Sequence, residues 1–188
     1  HFVQSIMIRL GDALPTNLLL KWRCELAHLP AGTREIELRS RIEDHLDAGH
    51  GACLLLRPEI GRLVEDALLL FDGSRYRLLA WCVMPNHVHV VVEILPGWEV
   101  GPLAHAWKSD TGNEANKLLG RRGGFWQGDH SDRAVSDGFH LESALRYVED
   151  NPVKTRLTQH LWSWVATYDD WPLHPGHSPN SPYVKALR

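Results

Sequence analysis

The period of the apolar positions changes along the chain in a way that marks out most of its elements. Residues 2–9, FVQSIMIR, alternate imperfectly and predict a first strand, ended by Gly11 and the turn at Leu14-Pro15. Residues 16–48 predict helix: Thr16 or Asn17 can cap LLLKWRCELAHL, and TREIELRSRIEDHLDAG sets Ile36, Ile42 and Leu46 among charges before Gly49 and Gly51. The short run ACLLLR (52–57) predicts a buried strand. Pro58 suits the start of a helix in which Ile60, Leu63, Val64 and Ala67 recur at helical spacing.

After the Asp72-Gly73 turn come two strand-like runs, RYRLLAWCVM (75–84) and NHVHVVVEIL (86–95), joined tightly through Pro85-Asn86. Leu103, Trp107 and Leu118 fit one side of a helix over 102–119, and 125–135 reads as loop or strand. A last helix, 138–150, carries the stripe Leu141, Ala144, Leu145 and Val148, and Asn151-Pro152 is expected to stop it. Beyond residue 160 the sequence is rich in Trp, Pro and His and reads as irregular, so a domain over 1–160 is expected to be followed by a tail over 161–188. The order of elements predicts an α+β fold, with helices on one face of a mainly antiparallel sheet.

Composition narrows the function classes. With 188 residues, 44% hydrophobic and 23% charged, the chain has room for one ordinary globular domain. No apolar run approaches the roughly 18 residues that span a bilayer, and the first residues lack a signal-peptide pattern. The three cysteines, Cys24, Cys53 and Cys82, are widely spaced and contain no C-x-x-C pair, which argues against a disulfide scaffold or a Cys-based zinc knuckle. A cytoplasmic protein with reduced thiols is expected. The balance of 20 basic against 23 acidic side chains excludes a general basic coat, so any nucleic-acid contact must rest on a local surface.

The sharpest chemical feature is His87-Val88-His89 within a predicted strand. Alternation puts both imidazoles on one face and Val88, Val90 and Val92 on the other. Such a pair can ligate one metal ion, contact a phosphate, or merely decorate the open face of a half-buried strand. A histidine-triad nucleotide hydrolase would need a third His where Val91 stands. Tyr147 lies at the boundary of the apolar stripe of its helix, and Asn151, four residues on, projects to a similar side.

MPNHVHVVVE (84–93), FWQGDHSDR (125–133) and LRYVEDNPVKTRL (145–157) together resemble the single-tyrosine transposases with a His-hydrophobic-His (HUH) motif, and among them the REP-associated tyrosine transposases of bacteria. The similarity covers roughly residues 2–165. It implies a ferredoxin-like domain that acts on single-stranded DNA and hairpins at repetitive palindromes, as a monomer or homodimer in the bacterial nucleoid. It implies Mg²⁺ or Mn²⁺ held by His87, His89 and Asn151, with Tyr147 as nucleophile. Cleavage would then leave a 5′-phosphotyrosine and a free 3′-OH for strand transfer. A catalytically inactive hairpin-binding protein of the same fold is the alternative. The family commonly carries aromatic residues around its Asp-Arg pair, where this chain has His130, Ser131 and Ala134 about Asp132-Arg133.

For DNA contact the expected cations are Lys108, Lys117, Arg121, Arg122, Arg133, Lys154 and Arg156, since phosphate binding requires them. Arg121-Arg122 before two glycines is the preferred basic loop. Trp107 and Trp126 offer aromatic faces for unstacked bases, although Trp107 also fits a core stripe.

Overall fold

The computed structural model describes residues 2–155 and 163–165. Five strands form one antiparallel sheet: β1 (Phe2–Arg9), β2 (Tyr76–Val83), β3 (His87–Ile94), β4 (Ser131–Val135) and β5 (Ser163–Val165), in the order β4-β1-β3-β2-β5. Between and around them run α1 (Thr16–Glu25), α2 (Ala31–Asp47), α3 (Pro58–Leu69), α4 (Val100–Leu118) and α5 (Gly138–Lys154). The first four strands and their crossovers follow the ferredoxin-like order. The mainly antiparallel α+β class is therefore as expected.

The helices do not all lie on one face. Ile6, Ile8, Leu78, Trp81, Val88, Val90 and Val92 share a buried cluster with Ile60, Val64 and Leu68 of α3 and with Leu103 and Trp107 of α4. On the opposite face Val3, Leu79, Ala80, Cys82 and Val91 pack with Val148 of α5 and, beside it, Leu141, Ala144 and Leu145. All eight residues of β3 are consequently buried. This corrects the one-face expectation: β3 presents apolar side chains to both sides, and α5 covers the second.

Three local expectations also fail, for identifiable reasons. ACLLLR is not a strand: Cys53 adopts a left-handed conformation at φ 48° and ψ 42°, and Leu54–Leu56 form a 3-10 turn. Only Leu55 of that turn is buried, and its N–H donates to the carbonyl of Pro85 at 3.2 Å. Leu118 is exposed at the end of α4 while Leu103 and Trp107 enter the core. Finally, Asn151-Pro152 does not stop α5, which runs on to Lys154 with Pro152 inside it. A proline removes one helical hydrogen bond and crowds the preceding turn. Here the burial of Val148, Asn151 and Pro152 together holds the last turn helical.

At its start α5 is capped by Asp137, whose carboxylate accepts the backbone N–H of His140 at 2.8 Å. Past residue 160, where irregular chain is expected, Ser163–Val165 pair with Ala80–Cys82 as an edge strand, and Trp164 packs against the larger core. The remainder of the expected tail lies outside the described residues, as does Arg156.

Candidate active site

Register in the sheet places the imidazole pair. Residues 87–94 pair with β1 on one side and β2 on the other, so His87 stands opposite Arg9 and His89 opposite Met7 and Cys82. The tight β2–β3 connection is closed by Met84 N–H donating to the His87 carbonyl at 2.8 Å. As the alternation requires, both imidazoles share the face opposite Val88, Val90 and Val92. Their rings meet edge-on with centroids 4.7 Å apart. That face is not open: α5 covers it, leaving His87 0% and His89 3% exposed.

Tyr147 comes to this pair from α5. Its ring is edge-on to His89, 5.1 Å between centroids and 85° between planes. One turn later, Asn151 is completely buried. The structure therefore gathers His87, His89, Tyr147 and Asn151. The continuation of α5 through Pro152 keeps the Asn151 amide one helical turn below the phenol.

Several buried polar atoms at this point lack hydrogen-bond partners among the described residues: Nε2 of His87, Nε2 of His89, both amide atoms of Asn151 and Oδ1 of Asp47. Burying such atoms unpaired costs about 1–3 kcal/mol each. Orphaned groups from three elements converge here, and such atoms call for a partner beyond the described residues: a water, an ion or a ligand. Among the described residues no three His, Cys, Asp or Glu side chains form a metal cluster by themselves. The donors that fit a divalent cation are thus two imidazole nitrogens and an amide oxygen, and an amide oxygen suits Mg²⁺ or Mn²⁺.

Electrostatics agree with neutral ligands. Burial lowers the His87 pKa to about 3. His89 is also lowered, by burial first and then by His87, Arg39 and Lys154 nearby. Both rings are therefore uncharged at neutral pH. The Tyr147 hydroxyl is pushed above the usual phenol range, by burial first and by the Glu43 carboxylate second. The Asn151 amide partly offsets that rise, being near the phenol oxygen without well-formed hydrogen-bond geometry to it.

Four residues that sequence reasoning did not single out complete the surroundings. Asn86 accepts at Oδ1 from the His87 ring at 2.8 Å, while its Nδ2 donates to the carbonyl of His50 at 2.8 Å. Arg39, Glu43 and Asp47 recur every four residues along α2 and face the site. Arg39 bonds Glu43 at 2.7 Å, and Asp47 Oδ1 lies 3.6 Å from His87 Nε2. In the sequence that spacing is indistinguishable from an ordinary salt-bridged helix face.

The expected DNA cations divide. Arg133 lines a cavity of about 270 Å³ beside Tyr147, with Ser5, Arg39, Glu43 and His140. Lys154 places its Nζ 4.8 Å from the centre of the Tyr147 ring. The others belong to α4 and the segment after it. Lys108 is a loop clamp, its Nζ donating to the carbonyls of Gln127, Gly128 and Asp129 at 2.7–3.2 Å. Lys117 pairs with Glu114 at 2.6 Å. Arg121 donates to the Gly124 carbonyl at 3.3 Å, and Arg122 is exposed. Trp107 and Trp126 are core residues whose indole N–H groups donate to Tyr76 and Thr111, so neither is a free base platform. A larger cavity, about 800 Å³, lies away from this chemistry, between α3 and α4.

Fold and site define a class: an antiparallel α+β domain in which a strand-borne imidazole pair faces a helix-borne phenol. Comparison with known proteins specifies it further. Residues 67–151 match the family described as IS200-like transposases, a segment running from α3 to Asn151 and containing all four gathered residues. The solved structure of a REP-associated tyrosine transposase bound to a REP hairpin is similar in fold, with a TM-score of 0.51 at 14% identity over 81% of this chain and 67% of that one. A crystal structure of a candidate transposase from Deinococcus radiodurans aligns at 13% identity over 80% of this chain and 92% of that one, with a TM-score of 0.38. No curated protein matches the chain significantly. The transposase family that residues 67–151 match agrees with the resemblance carried by MPNHVH and RYVEDNPVK, and the solved structure shares the fold.

Proposed function

We propose that this protein cleaves and rejoins single-stranded DNA at hairpin-bearing palindromic elements, with Tyr147 as nucleophile and His87, His89 and Asn151 as the ligands of Mg²⁺ or Mn²⁺. The observation that carries the reading is the Tyr147 ring against His89, beside the Nε2 atoms of His87 and His89 and the Asn151 amide, all buried without a hydrogen-bond partner among the described residues. The family match and the hairpin held by the solved relative support DNA as the substrate class.

Bound there, a divalent cation would withdraw charge from the scissile phosphate and stabilise the departing 3′ oxygen. The protein's own groups do the rest. His87 and His89, neutral through burial, keep their Nε2 lone pairs available. Asn86 holds the His87 ring in orientation. Tyr147 Oη attacks phosphorus, its proton leaves to solvent, and the bond to the 3′ oxygen breaks. The resulting phosphotyrosine ester conserves the bond energy, so a second 3′-OH can reverse the step without ATP. Arg133 and Lys154 lie beside the phenol, which supports a role for them in holding the flanking phosphates.

The test uses hairpin-bearing single-stranded DNA labelled on either side of the cut, with Mg²⁺ or Mn²⁺. The 3′ fragment should migrate covalently attached to protein and the 5′ fragment should leave with a free 3′-OH. Binding without cleavage would identify a hairpin-binding protein, and the absence of both would sink the DNA reading.

A further inference from the structure

We propose that Phe139, in the first turn of α5, is a stacking platform for an unpaired base beside the scissile phosphate, in the cavity it shares with Tyr147. This inference rests on the DNA reading proposed above and names a residue that would hold the strand. Its first support is where Phe139 stands on its helix. At about 100° per residue it lies roughly opposite the middle of the stripe Leu141, Ala144, Leu145 and Val148 that packs on the sheet. Packing therefore does not call for a ring here. Phe139 is 77% exposed, more than any other aromatic side chain among the described residues. A lone exposed phenyl is an ordinary surface feature. This one is not alone: Phe139, Ser143 and Tyr147 follow at every fourth position and border one cavity of about 340 Å³.

The second support is what surrounds that cavity. From Phe139 to Tyr147 the helix rises about 12 Å, with only the short Ser143 side chain between the two rings. The Ser143 hydroxyl donates to the Phe139 carbonyl at 2.9 Å, which draws it against the helix and leaves room above it. The Asp137 cap on the His140 N–H fixes the first turn, so Phe139 is mounted on ordered backbone and little ordering is left to be done on binding. Lys154, whose ammonium lies 4.8 Å from the centre of the Tyr147 ring, borders the same cavity. Arg146 borders it too, paired with Glu142 at 2.7 Å. On the other side Arg133 lines the cavity of about 270 Å³, and Ser143 and Tyr147 border both. The phenol thus sits among cations suited to backbone phosphates and beside a ring suited to a base, the combination that single-strand binding uses. A duplex keeps its base faces in its own stack, so this ring selects unpaired nucleotides.

The test is equilibrium binding in EDTA, read by fluorescence anisotropy, of two labelled DNA hairpins: one blunt, one carrying unpaired nucleotides on both sides. Wild type, Phe139→Ala, Phe139→Leu and Phe139→Trp are compared, each checked by circular dichroism and for oligomeric state. Phe139→Ala and Phe139→Leu should weaken binding of the flanked hairpin by about fivefold or more and leave the blunt hairpin within about twofold of wild type. The salt slope should not change, because no charge is lost, and Phe139→Trp should bind at least as well as wild type. If wild type binds the flanked hairpin and Phe139→Ala stays within about twofold of it, less than stacking is worth, the Phe139 assignment is overturned and the DNA reading stands. Equal losses on both hairpins, or wild-type affinity in Phe139→Leu, would also overturn stacking on an unpaired base. A changed oligomeric state with unchanged DNA affinity would make this face an interface between copies of the chain and overturn the proposal. Wild type that binds neither hairpin removes the DNA reading and this inference with it. Should Phe139→Ala fail to fold, Phe139→Leu against wild type decides by the same criteria.

Discussion

Removing one oxygen from the centre of the site separates chemistry from packing. Tyr147→Phe keeps the ring, and with it the edge contact to His89 at 5.1 Å and the Lys154 ammonium 4.8 Å from the ring centre. Because the hydroxyl's pKa lies above the ordinary phenol value, the group lost at neutral pH is uncharged. Its surroundings provide no well-formed hydrogen bond from Asn151. The stability change should therefore stay within about 1 kcal/mol, a melting shift of roughly 2–4 °C for a domain of this size. Hairpin affinity should be nearly unchanged, since Arg133 and Lys154, the cations proposed for the flanking phosphates, are untouched. Cleavage should nonetheless vanish, because a phenyl ring has no atom that can attack phosphorus. Melting, hairpin binding and covalent-adduct formation on a denaturing gel should be measured on one preparation. An adduct persisting in the Phe protein would place the nucleophile elsewhere, and a melting loss of 10 °C or more, roughly 3 kcal/mol or above, would make Tyr147 chiefly a packing residue.

Other outcomes follow from the same geometry. His89→Ala should abolish metal-dependent cleavage but retain the fold and most hairpin affinity, since Val88, Val90 and Val92 still fill the opposite core; wild-type cutting rates would move the metal site. Cleavage by wild type, followed in single turnover, should accelerate with pH from 7 to 9, up to about tenfold per unit, because the raised phenol must lose its proton; a flat profile would mean that another step limits the rate. Arg121→Ala with Arg122→Ala should weaken hairpin binding and lower its salt slope by about one charge or more; equal affinity at two salt concentrations removes that loop from the interface. Glu65, on the buried face of α3 and accepting the Trp81 indole N–H at 2.9 Å, has its pKa raised from 4.5 to about 7 by burial. The folded state thus holds a proton the unfolded chain releases, so this contribution is full below pH 4.5 and lost as pH rises through 7. Relative to Glu65→Gln, wild type should lose on the order of 3 kcal/mol across that window in denaturant titrations, and parallel curves would refute the shift.

Much of this molecule was written in local pattern. Alternation located β1, β2 and β3 within a residue or two, and Pro85-Asn86 located their hairpin. Period two alone put His87 and His89 on one face. Period 3.6 put Tyr147 at the edge of its stripe with Asn151 one turn on. These are properties of neighbours in sequence, where backbone geometry leaves few choices.

What depended on residues distant in sequence had to come from the tertiary structure. Pro152 inside α5 contradicts a local rule, and only burial against the sheet keeps that last turn helical and Asn151 in place. ACLLLR is apolar enough for a strand, yet the reversal at Cys53 and a bond to Pro85 turn it into a 3-10 helix. No periodicity reveals that a second helix layer would bury the imidazoles, lower their pKa and leave their Nε2 atoms unpartnered. Nor does it reveal that Asp47, forty residues upstream of His87, would stand 3.6 Å from its ring. Spacing along the chain determines which face a side chain takes. Only packing between layers determines what meets it there, and desolvation by that packing is what turns two ordinary histidines into a candidate active site.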